Sequence, residues 1–202
     1  MSEICLTGSQ NKGCVKSAAV VIITSGAAIR VVHSMFKIGE TVVHPQHGVG
    51  QVVKLEDREF VRGVVQRYYE ISIPGGSTVW VPVDLPNSGL RGLAERRQII
   101  HCRKILESHP LPLAEDGRIR QSELVASLKQ GTIATHCEIV RDLAAFVAHR
   151  PAYGTITSFL QALQSVLCQE WAIVEGITLL EATSEISSLL EKSRLAPSEN
   201  RA

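Results

Sequence analysis

The spacing of apolar and polar positions changes once along this chain of 202 residues. From residue 41 to residue 81 the apolar residues come in short β-branched runs divided by glycine and proline. Thr41 to His44 predicts a strand, and Pro45 ends it because proline has no N–H to give a ladder. Gly48 and Gly50 supply backbone freedom for a turn into the next strand, which Gln51 to Leu55 continues. Arg62-Gly63 reads as a hairpin turn, with Val64 to Ile73 as the return strand. Pro74-Gly75-Gly76 turns the chain again before a fourth short strand, Thr78 to Val81. Short strands joined by Gly/Pro turns predict a small SH3- or Tudor-like β-barrel.

Further along, the period becomes helical. Arg91 to Glu107 is rich in helix formers and predicts a short helix that closes the barrel. His109-Pro110-Leu111-Pro112-Leu113 carries two prolines and is excluded from a helix interior, so it reads as a semi-rigid linker and a domain boundary. Leu124, Val125 and Leu128 share one helical face, and Gly131 is a natural C-cap. Thr135 and Glu138 have capping-box spacing ahead of Ile139, Val140, Leu143, Phe146 and Val147, and Pro151 stops that helix. Phe159, Leu160, Leu163, Val166, Leu167, Trp171 and Val174 make the stripe of a longer helix ending at Gly176. Thr178 and Glu181 form another capping box before Ile186, Leu189 and Leu190. Four helices with short loops predict a bundle. The expected fold is therefore α+β in two domains: a barrel over 35–108, a linker over 109–116, a helical domain over 117–195 and a polar tail over 196–202.

Composition narrows the chemistry. The chain is 45% hydrophobic, enough for real cores, and its formal net charge of +1 gives no overall drive toward nucleic acid or membrane. The charge is uneven: residues 1–34 carry three Lys/Arg against one acid, residues 35–114 ten against eight, and residues 115–202 eight against eleven. The last third is thus a poor electrostatic DNA binder by itself, since phosphate affinity comes from cations. Cys5, Cys14, Cys102, Cys137 and Cys168 are odd in number and lack CxxC spacing, which argues against a disulfide framework or a zinc ribbon and fits reduced cytoplasmic thiols. His44 and His47 read as turn residues, because no acidic or Cys partner lies near them in sequence to complete a metal site. No Ser/His/Asp, HExxH or GxxxxGK[ST] pattern occurs, so neither an enzyme nor a cofactor is expected. Gly48-Val49-Gly50 is no phosphate loop, because no helix start follows it.

Residues 1–34 are expected to be a leader, disordered or translated from a mis-called start codon. Lys12 and Lys16 ahead of the apolar run Ala18 to Ile29 would also suit a signal peptide. That run falls short of the ~20 apolar residues of a transmembrane helix.

Phe36-Lys37-Ile38-Gly39, Val43-His44-Pro45-Gln46-His47-Gly48-Val49-Gly50, Gly63 ahead of Tyr68-Tyr69, and Val81-Pro82-Val83 leading to Leu90-Arg91 together resemble the CarD family of bacterial transcription regulators. Leu128-Lys129-Gln130-Gly131 and Val140-Arg141-Asp142-Leu143 extend the resemblance, more loosely, into the helical half. The resemblance implies a cytoplasmic, non-enzymatic protein whose barrel docks on the RNA polymerase β subunit, partly by aligning a strand edge with a partner strand. It implies that the helical domain touches promoter DNA and stabilises the open complex, with no membrane or small-molecule substrate involved. It carries polymerase contact onto Arg58, Thr78 and Trp80. Arg58 also reads as a solvated strand-end charge, and Trp80 equally as a barrel-core tryptophan. DNA-contacting members carry a wedge tryptophan at the start of the helical domain; Gly117 stands at that position here. Arg118, Arg120 and Lys129 remain as candidate phosphate contacts, opposed by Glu115 and Asp116, so any DNA contact is expected to be weak and polymerase-dependent. An adaptor whose helical domain recruits another protein, without touching DNA, is the alternative.

Overall fold

The computed structural model describes residues 36–84, 89–129, 131–148 and 154–195. The leader, Pro151 and the tail lie outside these residues. Within them the chain runs as five strands, β1 (Thr41–His44), β2 (Gly48–Val61), β3 (Val64–Ile73), β4 (Ser77–Pro82) and β5 (Arg91–Gly92), then five helices, α1 (Arg96–Glu107), α2 (Gly117–Leu128), α3 (Ile133–Ala148), α4 (Gly154–Glu175) and α5 (Leu179–Leu195).

The strands form one antiparallel sheet in the order β4-β3-β2-β1-β5. The turns at Arg62-Gly63 and Pro74-Gly75-Gly76 stand where they were read, whereas Gly48 and Gly50 lie inside β2 and the first turn falls at residues 45–47; β4 and β5 are unpaired with each other among the described residues. The pairing is therefore that of an open sheet, where the sequence predicted a closed barrel. Alternation along β1 buries both of its valines, on opposite sides. Val42 joins Phe36, Val52, Tyr69, Ile71, Val81 and Leu90 in the sheet's own core. Val43 faces the other way and packs with Val49 against Val166 of α4.

Two glycines make this closeness possible. A Cβ on Gly50 would lie 2.6 Å from Ile73 and 2.8 Å from the Ser72 carbonyl, so the β2–β3 approach excludes any side chain there. Gly48 has φ +85° and would meet Gln169 of α4 at 2.5 Å.

Helix α1 corrects one expectation. It was read as a lid on the barrel, yet its buried residues Ile99, Cys102 and Leu106 lie in the helical core with Cys137, Leu143, Leu167 and Trp171. The bundle therefore has five described helices rather than four. The proline-bearing segment runs between two of them and is tied down, with the Leu111 N–H donating to Asp142 Oδ1 at 2.8 Å. The start of α3 also differs. Thr132, not Thr135, caps it, its Oγ1 accepting the Thr135 N–H at 3.0 Å. The Thr178/Glu181 box is formed as read, with Glu181 Oε2 accepting from Thr178 N–H at 2.8 Å and Thr178 Oγ1 accepting from Glu181 N–H at 3.2 Å.

Sheet and bundle are joined by a buried ion pair. Arg91 on β5 binds both carboxylate oxygens of Glu170 on α4, and the Ala94 N–H donates to the same carboxylate at 2.9 Å. Glu170 is fully buried, at 0% exposure. Its three donors come from the sheet's last strand and the segment after it, so this carboxylate fixes the sheet onto α4.

Candidate partner-binding site

Strand pairing decides which side chains share the outer face of the sheet. Glu70 opposes both Lys54 and Trp80, and Tyr68 opposes Glu56 and Pro82. With a period of two, Lys54, Glu56, Arg58, Tyr68, Glu70, Thr78 and Trp80 all point away from the core formed by Tyr69, Ile71 and Val81. Trp80 is thus an outer-face residue, not a core tryptophan. The Arg58 guanidinium lies 3.8 Å from the Trp80 ring centroid and also binds Glu56. Arg58 is therefore exposed, as a solvated charge would be, but lies inside a strand rather than at its end.

Two aromatic residues that the sequence reading missed complete this surface. The Phe60 ring sits edge-on to Tyr68 at 4.8 Å and tilted to Trp80 at 6.4 Å. The strand was expected to end at Leu55, so Phe60 had no assigned face. The charged run Glu56-Asp57-Arg58-Glu59 hid the continuation. In the sheet those charges find partners, with Arg67 binding Asp57 across the strand pair at 2.9 and 3.1 Å.

The backbone of β4 adds a second feature. The Val83 N–H donates to the Arg67 carbonyl at 2.9 Å, which makes that opposed pair a hydrogen-bonded one. Alternation then leaves Thr78, Trp80 and Pro82 in non-bonded pairs, with their remaining main-chain groups turned toward the open edge. Thr78 and Trp80 each offer an N–H and a C=O there. Pro82 offers only a C=O.

The expected DNA contacts fare differently. Arg120 is buried at 7% exposure, donates to the carbonyls of Ala114 and Glu115 at 2.7 and 3.1 Å, and lies 4.6 Å from the Phe146 ring centroid. Its role is to hold the segment entering α2, and phosphate contact from it is not available in this fold. Arg118 and Lys129 are exposed but stand at opposite ends of α2, roughly 16 Å apart along its axis. Asp116 caps that helix by accepting the N–H groups of Arg118 and Ile119, and these bonds hold its carboxyl below the usual range. Negative charge is therefore fixed next to Arg118. Gly117 is exposed at the first turn, where a Cβ would meet only Arg120 at 3.5 Å.

A family model described as the CarD-like/TRCF RID domain matches residues 36–94. Residues 36–94 are therefore similar to that domain. It is also 26% identical over 146 residues to the putative transcription factor YdeB of Bacillus subtilis (strain 168), a match covering 71% of this chain and 95% of that relative. These similarities bear out the resemblance read from the sequence. The matched segment ends at Ala94, one residue before the Glu95/Gln98 capping box that starts α1. It contains Arg58, Phe60, Tyr68, Thr78 and Trp80, whereas Arg118 and Lys129 lie outside it.

The sheet meets the bundle beside two histidines of low basicity. Burial, then the neighbouring His47, lowers the His44 pKa to about 4; the two rings are 4.6 Å apart. His136 on α3 is likewise lowered to about 4, by burial and then by the Arg91 charge, while its Nε2 bonds the Leu163 carbonyl at 2.9 Å. Folded-state values below the unfolded ~6.5 mean that the unfolded chain binds more protons between those limits. Stability from this source is complete above pH ~6.5 and falls as the pH drops toward 4. For His136 the expected loss between pH 7.5 and pH 5 is about 2 kcal/mol. Urea midpoints at the two pH values check this, and His136→Gln should flatten the dependence. No helix among the described residues is long and apolar enough to cross a membrane.

Proposed function

We propose that this chain is a non-enzymatic bacterial transcription regulator that docks on the RNA polymerase β subunit through the outer face and open edge of its sheet. Arg58, Trp80 and Thr78 make the contact, and the helices influence open-complex stability from that position. The observation that carries this reading is the Arg58 guanidinium stacked on Trp80 beside the outward main-chain groups of β4. An exposed edge next to an aromatic–arginine pair suits strand addition. Main-chain bonds supply affinity there, and the side chains supply selectivity. The work is done in the cytoplasm, with no cofactor.

Arg58→Glu is expected to weaken binding of the full chain to the host β subunit by about 1–2 kcal/mol in calorimetry. Loss of the Arg58–Trp80 stack should cost only about 0.5–1 kcal/mol of stability. An unchanged affinity rejects the role given to Arg58. A collapse of the fold shows instead that Arg58 is structural.

One observation favours the adaptor reading of the helices. Of the three cations expected to contact DNA, one is buried and the other two are at opposite ends of α2. Without polymerase, the full chain is expected to bind duplex DNA only near ~10⁻⁴ M at physiological salt. Micromolar binding in a fluorescence titration would favour direct DNA contact. A promoter-opening assay that shows no effect of polymerase-bound chain would favour recruitment of another protein.

A further inference from the structure

The β2–β3 hairpin reaches past the rest of the sheet. Strand β1 pairs with β2 only over Gly48–Gln51, and β4 pairs with β3 only as far as Tyr68. Beyond the Val83–Arg67 bond the hairpin is a two-stranded ribbon, with about 13 Å from Arg67 to the turn at 3.3 Å per residue. Contacts along its length hold it: Arg67 binds Asp57 at the base, Phe60 packs edge-on to Tyr68, and at the turn the Gly63 N–H donates to Glu59 Oε1 at 2.6 Å. A register shift between Arg58 and Val61 places one extra residue in β2, and Phe60 lies on the Trp80 side of the ribbon.

The end of this ribbon is apolar and uncovered. Phe60, Val61, Val64 and Val65 are 55%, 65%, 52% and 68% exposed, and none belongs to a core cluster. Apart from the Phe60 ring against Tyr68 and Trp80, they take no part in the described cores. A projection that ends in β-branched apolar residues is costly to leave in water, and natural sheets usually blunt such ends with charge. Here Arg62 alone interrupts the apolar run from Phe60 to Val65, Gly63 aside.

We propose that this tip, Phe60 to Val65, is an apolar finger that seats in an apolar cleft of the polymerase β subunit, next to the Arg58–Trp80 contact. The proposal rests on the polymerase reading above. Continuity selects the occupant: Phe60 belongs both to the tip and to the aromatic group around Trp80, so a partner lying on that face meets the tip as well. The tip then supplies buried apolar area, while Arg58 and the β4 edge supply orientation.

The test is calorimetry of the full chain against the host β subunit with Val61→Thr and Val65→Thr combined. Threonine keeps the β-branched shape and strand preference but brings a hydroxyl into the cleft. The double variant should bind about 30-fold more weakly, with an unchanged melting midpoint. Ile100→Thr, an exposed position on α1, should change nothing. If the double variant fails to fold, Val65→Lys is the substitute and should weaken binding at least as much. Wild-type affinity in the double variant, with Arg58→Glu still weakened, overturns the finger and leaves the docking reading standing. No binding by the unaltered chain brings down both. Sedimentation showing a wild-type dimer that the double variant abolishes, without loss of polymerase affinity, assigns the tip to self-association and also overturns the proposal.

Discussion

Glu170→Ala is expected to lower the unfolding free energy by about 3–5 kcal/mol, the largest stability effect of any single polar substitution here. The carboxylate is fully buried and accepts from Arg91 twice and from the Ala94 N–H. Removing it leaves a guanidinium and a main-chain donor without their acceptor, and burial of an uncompensated charge dominates the cost. The converse substitution separates this cause from simple loss of volume. Replacing Arg91 and Glu170 together by methionine removes both charges at once and should cost markedly less than Glu170→Ala alone. Urea denaturation of the three proteins at pH 7.5 gives the comparison. A double variant as unstable as the single one would show that packing, not charge, is what Glu170 supplies.

Trp80→Ala is expected to weaken binding to the β subunit by about 2 kcal/mol or more, roughly 30-fold. The ring is half-buried on the outer face, stacked by Arg58 and tilted against Phe60. Its removal takes an anchor from the proposed interface and leaves the Arg58 guanidinium without the ring it lies over. Trp80→Phe should retain most of the affinity, because a smaller ring still stacks. The folded state should lose little, since Val81 and Ile71 on the opposite face form the core without help from Trp80. Calorimetry paired with thermal melts distinguishes the outcomes. Full affinity in Trp80→Ala would remove this face from the contact.

The sheet was largely legible in the sequence because its signals are local. Pro45, Gly63 and Pro74-Gly75-Gly76 mark turns through their own backbone chemistry, and the strands between them follow. The end of β2 was missed because Glu56 to Glu59 look like a loop until Arg67, on the return strand, is seen to pair with Asp57. Helix existence was readable from periodicity, but helix placement was not. The apolar stripe of α1 says that it packs against something, and only the fold says that this is Cys137 and Leu143 rather than the sheet. Thr132 and Thr135 are both capable caps, and the choice depended on where α3 begins. At the candidate site, Arg58 and Trp80 were named by resemblance, while their stacking and the role of Phe60 needed the register. Arg120 was misjudged because a cation beside a helix start reads as solvent-facing unless its acceptors, here main-chain carbonyls of the preceding loop, can be seen. The Arg91–Glu170 pair spans 79 residues and leaves no local trace.

Pro82 at the end of β4 has a further consequence for assembly. Edge strands with unbroken rows of donors invite stacking of one molecule on the next. This edge offers outward N–H groups at Thr78 and Trp80, and the following outward position is a proline that has none. An incoming strand that slides by two residues toward Pro82 forfeits one of those bonds, so the seam has a preferred alignment built into its length. The same shortness makes it a poor seed for continuous growth.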